Sequence, residues 1–249
     1  MDILGVRVDN LAKNDALIKA KSFLYSGQSH IIFTPNPEMI VAAQKDRYFR
    51  EVLNKGDLNL CDGRGIQLVA NEKIDRIAGV DFMILLCELA AAEKKSIYLL
   101  GSGKVEVVEG AKQKLLEKFP NLDIVGVNPG ITITLLSTGH IEYSSEQNDA
   151  LLENIILASP QILCVAFGHI KQEKWIYENL PHLPSVKIAI GIGGAFDFIS
   201  GTVKRAPKIL QFFGLEWLYR LFQEPKRIKR MYNATFVFLW YNLKKFLET

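Results

Sequence analysis

One carboxylate in the sequence, Asp62, has a setting that suits acid–base chemistry. It follows the run LNLC at residues 58–61, which is typical of the end of a short buried strand, and Gly63 then breaks the chain before a helical pattern resumes. In a parallel sheet flanked by helices, ligands bind beyond the carboxyl ends of the strands. A carboxylate placed there can take a proton from a substrate. The alternative is that Asp62 only opens a turn or caps the next helix.

A second polar group follows the preceding predicted strand, at residues 29–33. Thr34 and Asn36 belong to the segment TPNPE at 34–38, in which two prolines favour an extended backbone. If the two strands are neighbours in the sheet, we expect Asn36 and Asp62 to lie on the same rim. The alternative for Asn36 is that its side chain only fixes the loop between the prolines.

Glycine-rich turns follow two further apolar runs, SIYLL at 96–100 and VKIAI at 186–190. A strand, a glycine turn and a helix N-terminus can together hold phosphate through backbone N–H groups. The GSG turn at 101–103 is shorter than the complete dinucleotide-binding fingerprint, and such turns are common in α/β proteins. The turns alone therefore indicate a possible anion site and no particular ligand.

The composition is that of a globular protein, with 249 residues, 49% hydrophobic and 23% charged. The cysteines Cys61, Cys87 and Cys164 stand singly among apolar residues, so we interpret them as reduced core residues and expect no structural metal. The sequence shows no secretory leader and no apolar run of about 20 residues, the length needed to cross a bilayer. A cytoplasmic location is expected.

Positive charge is concentrated at one end of the chain. Residues 202–249 contain ten Lys and Arg against three Glu, a net charge of +7, whereas the rest of the chain carries −4. Such an asymmetry indicates an anionic surface or ligand near the C-terminal end.

Strand and helix signals alternate over about 190 residues, which predicts an α/β fold with a mainly parallel, Rossmann-like sheet flanked by helices. We expect residues 1–201 to form this core and residues 202–249 to form a basic helical appendage. The appendage has apolar stripes at 209–222 and 236–246 with cations beside them. These stripes could dock on the core or on another subunit, which would make a homo-oligomer, or could contact a membrane surface; docking is the commoner outcome.

With these residues in view, the chain resembles the TagA/WecG/CpsF glycosyltransferases, glycosyltransferase family 26, over nearly its whole length. Each matching segment is common alone, but their order along the chain is specific. The segments are TPNPE (34–38), DG (62–63), RIAGVDF (76–82), LLGSG (99–103), KQEKWI (171–176), GIGGAFDFISG (191–201), RAP (205–207) and EWLYRLFQEPKRIKR (216–230).

The resemblance implies transfer of an N-acetylmannosamine-type sugar from a UDP donor to polyprenyl-diphosphate-linked N-acetylglucosamine at the cytoplasmic face of the membrane, with inversion. By resemblance, Asp62 is the general base that deprotonates the acceptor hydroxyl, and an inverting transfer does need one base opposite the departing UDP. Thr34 and Asn36 are expected to orient one of the two sugars. Arg76 and Asp81 are expected to form an internal ion pair.

The departing UDP develops negative charge that positive groups must stabilise. The sequence has no DxD pair of carboxylates, so we expect neither a divalent metal nor another cofactor. The candidate phosphate-binding groups are backbone N–H groups at Gly101, Ser102, Gly103, Gly193 and Gly194, and the guanidinium groups of Arg220, Arg227 and Arg230.

Three further polar residues are candidates to contact the nucleotide. Gln172 could bind the uracil or ribose, Asp197 follows the second glycine turn, and Glu173 could instead cap its helix.

Two other classes of function are weighed beside the transferase. A Rossmann-type dehydrogenase is disfavoured because the GSG turn comes late and lacks the ribose-binding acid. An adaptor for membranes or nucleic acid would use the basic end alone and would ignore UDP-sugars; we expect no nucleic-acid partner.

Overall fold

The computed structural model of the chain describes residues 1–207, 209–210, 216–223 and 228–248. Within these residues the strands are β1 (Asp2–Ile3), β2 (Val6–Arg7), β3 (His30–Phe33), β4 (Leu58–Asn59), β5 (Ser96–Gly101), β6 (Asp123–Asn128), β7 (Thr134–Leu135), β8 (Ile141–Glu142), β9 (Ile162–Ala166) and β10 (Ile188–Gly191). The helices up to residue 201 are α1 (Lys13–Phe23), α2 (Pro37–Lys45), α3 (Arg47–Asn54), α4 (Arg64–Val69), α5 (Gly79–Glu93), α6 (Val105–Lys118), α7 (Ser145–Ala158), α8 (Lys171–Asn179) and α9 (Ala195–Ser200).

Six strands form one parallel sheet in the order β4-β3-β10-β9-β5-β6. The two central strands, β9 and β10, are apolar and buried at every position. Such continuous burial is what a parallel sheet with helices on both faces requires. The predicted α/β class with a Rossmann-like sheet is therefore confirmed.

The core has one layer on each face of the sheet, because successive side chains of a strand point to opposite faces. Phe33 packs with Phe49 of α3 and Trp175 of α8 on one face. The adjacent Ile32 packs on the other face with residues of α1, α5, α6 and α9, among them Phe82. Both layers are fully buried, and they fix the positions of the loops that leave the strands.

The sheet order brings the predicted site loops to one rim. Strands β3 and β4 are parallel neighbours, and the backbone N–H of Asp62 donates to the carbonyl oxygen of Pro35 at 3.0 Å. The loops that carry Asn36 and Asp62 are thus joined directly, as predicted for neighbouring strands. The exits of β10, β9 and β5 follow along the same rim.

Two local sequence patterns give predictions that are wrong. The apolar spacing of residues 39–53 predicts one helix, but the structure has two, because the side chain of Asp46 accepts a hydrogen bond from Phe49 N at 2.8 Å and starts α3. The proline, glycine and serine residues of 128–148 predict a loop or a short helix, but this stretch contains the hairpin of β7 and β8. Its strands are two residues long and largely exposed, so they carry almost no alternation of apolar and polar residues.

The described C-terminal elements are α10 (Glu216–Gln223), α11 (Ile228–Tyr232), a π-helical turn (Asn233–Val237) and α12 (Phe238–Glu248). Phe238 is fully buried in the same core layer as Phe49, so this segment docks on the core. Other apolar side chains of the segment are exposed, including Phe236, Trp240 and Phe246. Within the described ranges, no helix is both long and apolar enough to span a membrane.

Candidate active site

A cavity of about 860 Å³ opens along the rim formed by the strand exits. Its walls come from the loops after β3, β4, β5, β9 and β10, and from the C-terminal segment. Most of the residues predicted from the sequence line it: Thr34, Asn36, Asp62, Ser102, Gly103, Gln172, Gly193, Gly194, Asp197 and Arg230.

Asp62 presents a carboxylate to this cavity, with 27% of its side chain exposed. Its Oδ2 accepts a hydrogen bond from Gly79 N at 3.2 Å, and Arg76 Nε lies 3.9 Å from its Oδ1. Burial raises the pKa of Asp62 above its ordinary value, and the charge of Arg76 and the Gly79 N–H oppose that rise. A carboxylate with a raised pKa is a stronger base than an ordinary aspartate.

Glycines allow the two loops on this rim to touch. Gly63 has a φ of +150°, and a Cβ there would lie 2.8 Å from Cδ of Pro37. A Cβ on Gly65 would lie 2.7 Å from Cγ of the same proline. Any larger residue would push Pro37 away and separate Asp62 from the loop that carries Asn36.

Asn36 serves as the N-cap of α2, since its Oδ1 accepts from Met39 N at 3.0 Å. The structural role considered for it is therefore real. Its side-chain nitrogen makes no hydrogen bond within the described part of the chain, and the residue lines the cavity. Thr34 is buried against the start of α5, where a Cβ on Gly79 would lie 3.1 Å from its Oγ1.

The turn after β5 differs from the predicted phosphate-binding turn. Ser102 N donates to Ala166 O and Gly103 N to Pro129 O, both at 2.9 Å, so neither N–H is available to an anion in this conformation. Gly101 does not line the cavity; a Cβ there would lie 2.6 Å from the backbone of Ala166. The glycine is needed because β5 and β9 approach each other closely at their ends.

Gln172 and Glu173 have different surroundings, although both were predicted to contact a ligand. Gln172 lines the cavity, and its Oε1 accepts from Gly193 N at 3.0 Å. Glu173 does not reach the cavity: it is buried, and its Oε1 accepts from Gln172 Nε2 at 2.6 Å. Burial raises the pKa of Glu173, against the opposing hydrogen bond from Gln172. The backbone N–H groups of Ile170, the N-cap residue of α8, and of Glu173 itself also oppose this rise, which fits the capping role considered for Glu173. Glu173 fixes the orientation of the Gln172 amide.

Arg230 reaches the cavity from α11 but is bound to protein groups. Its Nε lies 2.8 Å from Glu38 Oε1, its Nη2 lies 3.0 Å from Glu38 Oε2, and Nη2 also lies 3.1 Å from His169 Nδ1. Although burial alone would raise it, the hydrogen bonds of His169 and Arg230 lower the pKa of Glu38 to about 2. Of the other two predicted arginines, Arg227 lies outside the described residues, as does the side chain of Arg220.

Sequence reasoning missed a chain of ion pairs behind Asp62. Glu216 of α10 accepts from Arg76 Nη2 and from Arg205 Nε, both at 3.1 Å. Arg205 also donates to both carboxylate oxygens of Asp81, at 2.5 and 2.9 Å. The expected pairing of Arg76 with Asp81 is thus replaced by pairing through residues of the C-terminal part of the chain.

Two residues of these ion pairs lie in segments that the sequence analysis singled out: Arg205 in RAP at 205–207 and Glu216 at the start of EWL at 216–218. Neither segment showed which acidic or basic residue of the core would be its partner.

Comparison with known proteins gives consistent matches. The model of the WecG/TagA/CpsF glycosyl transferase family matches residues 1–249. A protein of Bacillus subtilis (strain 168), named N-acetylglucosaminyldiphosphoundecaprenol N-acetyl-beta-D-mannosaminyltransferase, is 37% identical over 205 residues, which cover 81% of this chain and 74% of the relative. A protein of the same name from Bacillus spizizenii (strain ATCC 23059 / NRRL B-14472 / W23) is 32% identical over 214 residues, covering 84% and 77%.

Proposed function

The chain belongs to the WecG/TagA/CpsF glycosyltransferase family, and on that premise we propose its reaction. It transfers N-acetylmannosamine, or a close relative, from a UDP-sugar to undecaprenyl-diphosphate-linked N-acetylglucosamine, with inversion. The product belongs to the synthesis of a cell-surface polymer such as teichoic acid. The two named relatives carry that acceptor and that sugar in their names. The observation that carries the proposal is the Asp62 carboxylate, which opens into a cavity of about 860 Å³.

Asp62 acts as the general base in this proposal. Inversion needs a base on the face of the sugar opposite the leaving group, within hydrogen-bond reach of the acceptor hydroxyl. Within the described part of the chain, its carboxylate accepts from one backbone N–H and lies 3.9 Å from Arg76, so the oxygens can receive a substrate hydroxyl. Asn36, whose side-chain amide faces the same cavity, is proposed to orient the sugar together with Thr34.

The leaving UDP is proposed to lie along the other side of the cavity, near Gln172, Gly194 and Asp197. The side-chain oxygen of Gln172 accepts a hydrogen bond from Gly193 N, so this wall of the cavity is ordered before a ligand binds. Arg220 and Arg227 are proposed to neutralise the diphosphate, so that the reaction needs no divalent metal. The amides of Ser102 and Gly103 are not assigned to the diphosphate, because both already donate to carbonyl groups.

The C-terminal appendage, residues 202–249, is proposed to place the protein on the cytoplasmic face of the membrane, where the lipid acceptor lies. Trp240 and Phe246 are exposed beside Lys244 and Lys245 on α12. Cations near an anionic surface contribute about 1 kcal/mol each, and exposed aromatic side chains suit the interface. Self-association through the same apolar side chains is the alternative. Binding of the native chain to anionic vesicles, lost when residues 202–249 are deleted, would distinguish the two.

A transfer assay with a panel of UDP-sugars tests the proposed reaction. The acceptor is a short lipid carrying diphosphate-linked N-acetylglucosamine, and the product is analysed by mass and by the configuration at its new anomeric carbon. We expect turnover with UDP-N-acetylmannosamine, opposite configuration in donor and product, and unchanged rates in a chelator. Retention of configuration, or transfer only with added metal, would contradict the mechanism; transfer of none of the sugars would contradict the function.

A further inference from the structure

Glu38 joins the core to the C-terminal segment. It lies in the first turn of α2, and its carboxylate contacts Arg230 of α11 through two nitrogens, Nε at 2.8 Å and Nη2 at 3.0 Å. His169, in the loop after β9, brings its Nε2 to 3.3 Å from Glu38 Oε1. The three side chains come from positions far apart in the sequence, and all three line the cavity.

The contacts around His169 fit one arrangement of protons. Its Nδ1 lies 3.1 Å from Arg230 Nη2, which is always a donor, so Nδ1 accepts. Its Nε2 faces the carboxylate of Glu38 and therefore carries the proton. Each ring nitrogen therefore has a complementary partner. The three groups thus form a closed set, in which each contact matches a donor with an acceptor.

The C-terminal segment that Arg230 joins to the core is residues 228–248; the preceding helix α10 is attached to the core separately, through Glu216 and Arg76. Among the described residues, Arg230 pairs with Glu38 and Lys245 pairs with Asp2 across this junction. The second pair is more than half exposed on both sides, whereas the Glu38 side chain is 16% exposed. An exposed pair contributes little, and a partly buried bidentate pair contributes more.

From these contacts we infer that Glu38 and His169 are positioning residues that hold the C-terminal segment over the active site through Arg230. The segment contributes Met231, Ala234, Thr235 and Leu239 to the cavity wall. Arg230 serves in this arrangement as the attachment point of that wall and not as a ligand for the diphosphate. The inference rests on the proposed function only for its activity measurement, because the closed position of the segment can be measured without substrate.

A charge reversal tests the attachment. The variants are Glu38→Arg, Arg230→Glu and the double reversal, with Glu38→Gln as a milder single change. Hydrogen exchange of peptides from residues 228–248 reports whether the segment is docked. We expect each single change to speed exchange at least tenfold and to lower kcat/KM at least tenfold. The double reversal is expected to bring both values back to within about threefold of the native protein.

The matched control is the other pair that joins the same two parts of the chain. Reversal of Asp2 and Lys245, singly or together, removes an exposed ion pair of which neither residue lines the cavity. We expect less than a threefold change in exchange and in kcat/KM. Thermal unfolding of every variant shows that the core is folded.

Each other result counts against the inference. Single changes that leave the segment protected would show that Phe238 and its neighbours hold it alone. A double reversal that stays open would show that the pair is not what closes the segment. A double reversal that closes without regaining transfer would show that the guanidinium of Arg230 acts on the ligand. If the native chain itself transfers no sugar, the proposed function fails, whereas hydrogen exchange still decides the role of Glu38.

Discussion

Asp62 and Glu38 are two carboxylates that follow neighbouring strands of one sheet, Asp62 in the loop after β4 and Glu38 in the first turn of α2, and their surroundings differ. Glu38 is held by a bidentate arginine and a histidine, which lower its pKa to about 2 against the effect of burial. Arg76 lies 3.9 Å from Asp62, and burial raises the pKa of Asp62. The first carboxylate is saturated with partners, and the second has room for a substrate hydroxyl.

The difference shows how one rim supports both chemistry and structure. A base must be able to accept a proton, so its charge cannot be fully neutralised by strong donors. A contact that holds two parts of a chain together needs the opposite. Its carboxylate must be hydrogen-bonded by strong donors, so that the ion pair persists over the whole working pH range. Position on the rim does not separate the two roles; the partners of each carboxylate do.

The largest effect is expected when Asp62 is replaced. Asp62→Asn keeps the shape of the side chain and removes the base, so kcat should fall about 10²- to 10⁴-fold while UDP affinity stays within about twofold. The measurements are steady-state transfer and calorimetric titration with UDP. Asp75→Asn is the matched control, because Asp75 is exposed and does not line the cavity. Retained turnover in Asp62→Asn would give the role of base to another residue.

The next largest effect is expected in the C-terminal segment, which Glu38 contacts through Arg230. Phe238→Ala removes a fully buried ring at the junction of the segment and the core, which should lower the free energy of unfolding by about 3 kcal/mol or more. Denaturant unfolding measures this change. Phe246→Ala, at a ring that is 79% exposed, should cost less than about 0.5 kcal/mol. Equal costs for the two would mean that the segment is not docked as the structure shows.

A smaller effect is expected from the contact between the two loops. Gly63→Ala forces a Cβ to 2.8 Å from Pro37 and imposes an unfavourable φ, so Asp62 should move relative to Asn36 and kcat/KM should fall about 10- to 100-fold. Gly27→Ala is the control: its φ of +74° gives backbone strain, but no atom lies within 4 Å of the added Cβ. It should lose about 1 kcal/mol of stability and keep its activity. Equal activity losses would remove the special role of the loop contact.

The part of this comparison that could be predicted from the sequence is the part set by local patterns. Apolar runs predicted the strands. Asn36 and Asp62 follow two of these strands and were expected on one rim if the strands were neighbours. The structure confirms that pairing. Parallel strands bring their exits together whatever the loops contain, so this inference needed only strand type and order.

The partners of the site residues could not be predicted, because they are distant in sequence. Nothing near Glu38 indicates a contact with Arg230, which lies 192 residues further along the chain. The N–H groups of the GSG turn were expected to be available, but Gly103 donates to Pro129, in a loop whose course the sequence did not show. The sequence shows which charged residues the chain contains, and only the fold shows which of them form pairs.

The smallest predicted effect is a shift of the pH profile, and it depends on the charges behind Asp62. Transfer requires the ionised carboxylate, so kcat/KM should fall as the pH decreases through the pKa of Asp62. Arg76 favours the ionised form, and Arg76→Gln should therefore move this acid limb to higher pH. Glu216 has the opposite effect on Asp62, so Glu216→Gln should move the limb to lower pH.

Glu38→Gln is the comparison variant for these profiles. Glu38 is not one of the main groups that shift the pKa of Asp62, so its loss should lower the whole profile with little displacement of the limb. The measurement is kcat/KM from pH 4 to 8 at constant ionic strength, because exposed charges are screened by salt. Opposite displacements in the Arg76 and Glu216 variants would identify Asp62 as the titrating base. Displacements of the same sign would mean that the acid limb reports the packing of α10, to which Glu216 belongs, on the core and not ionisation of Asp62.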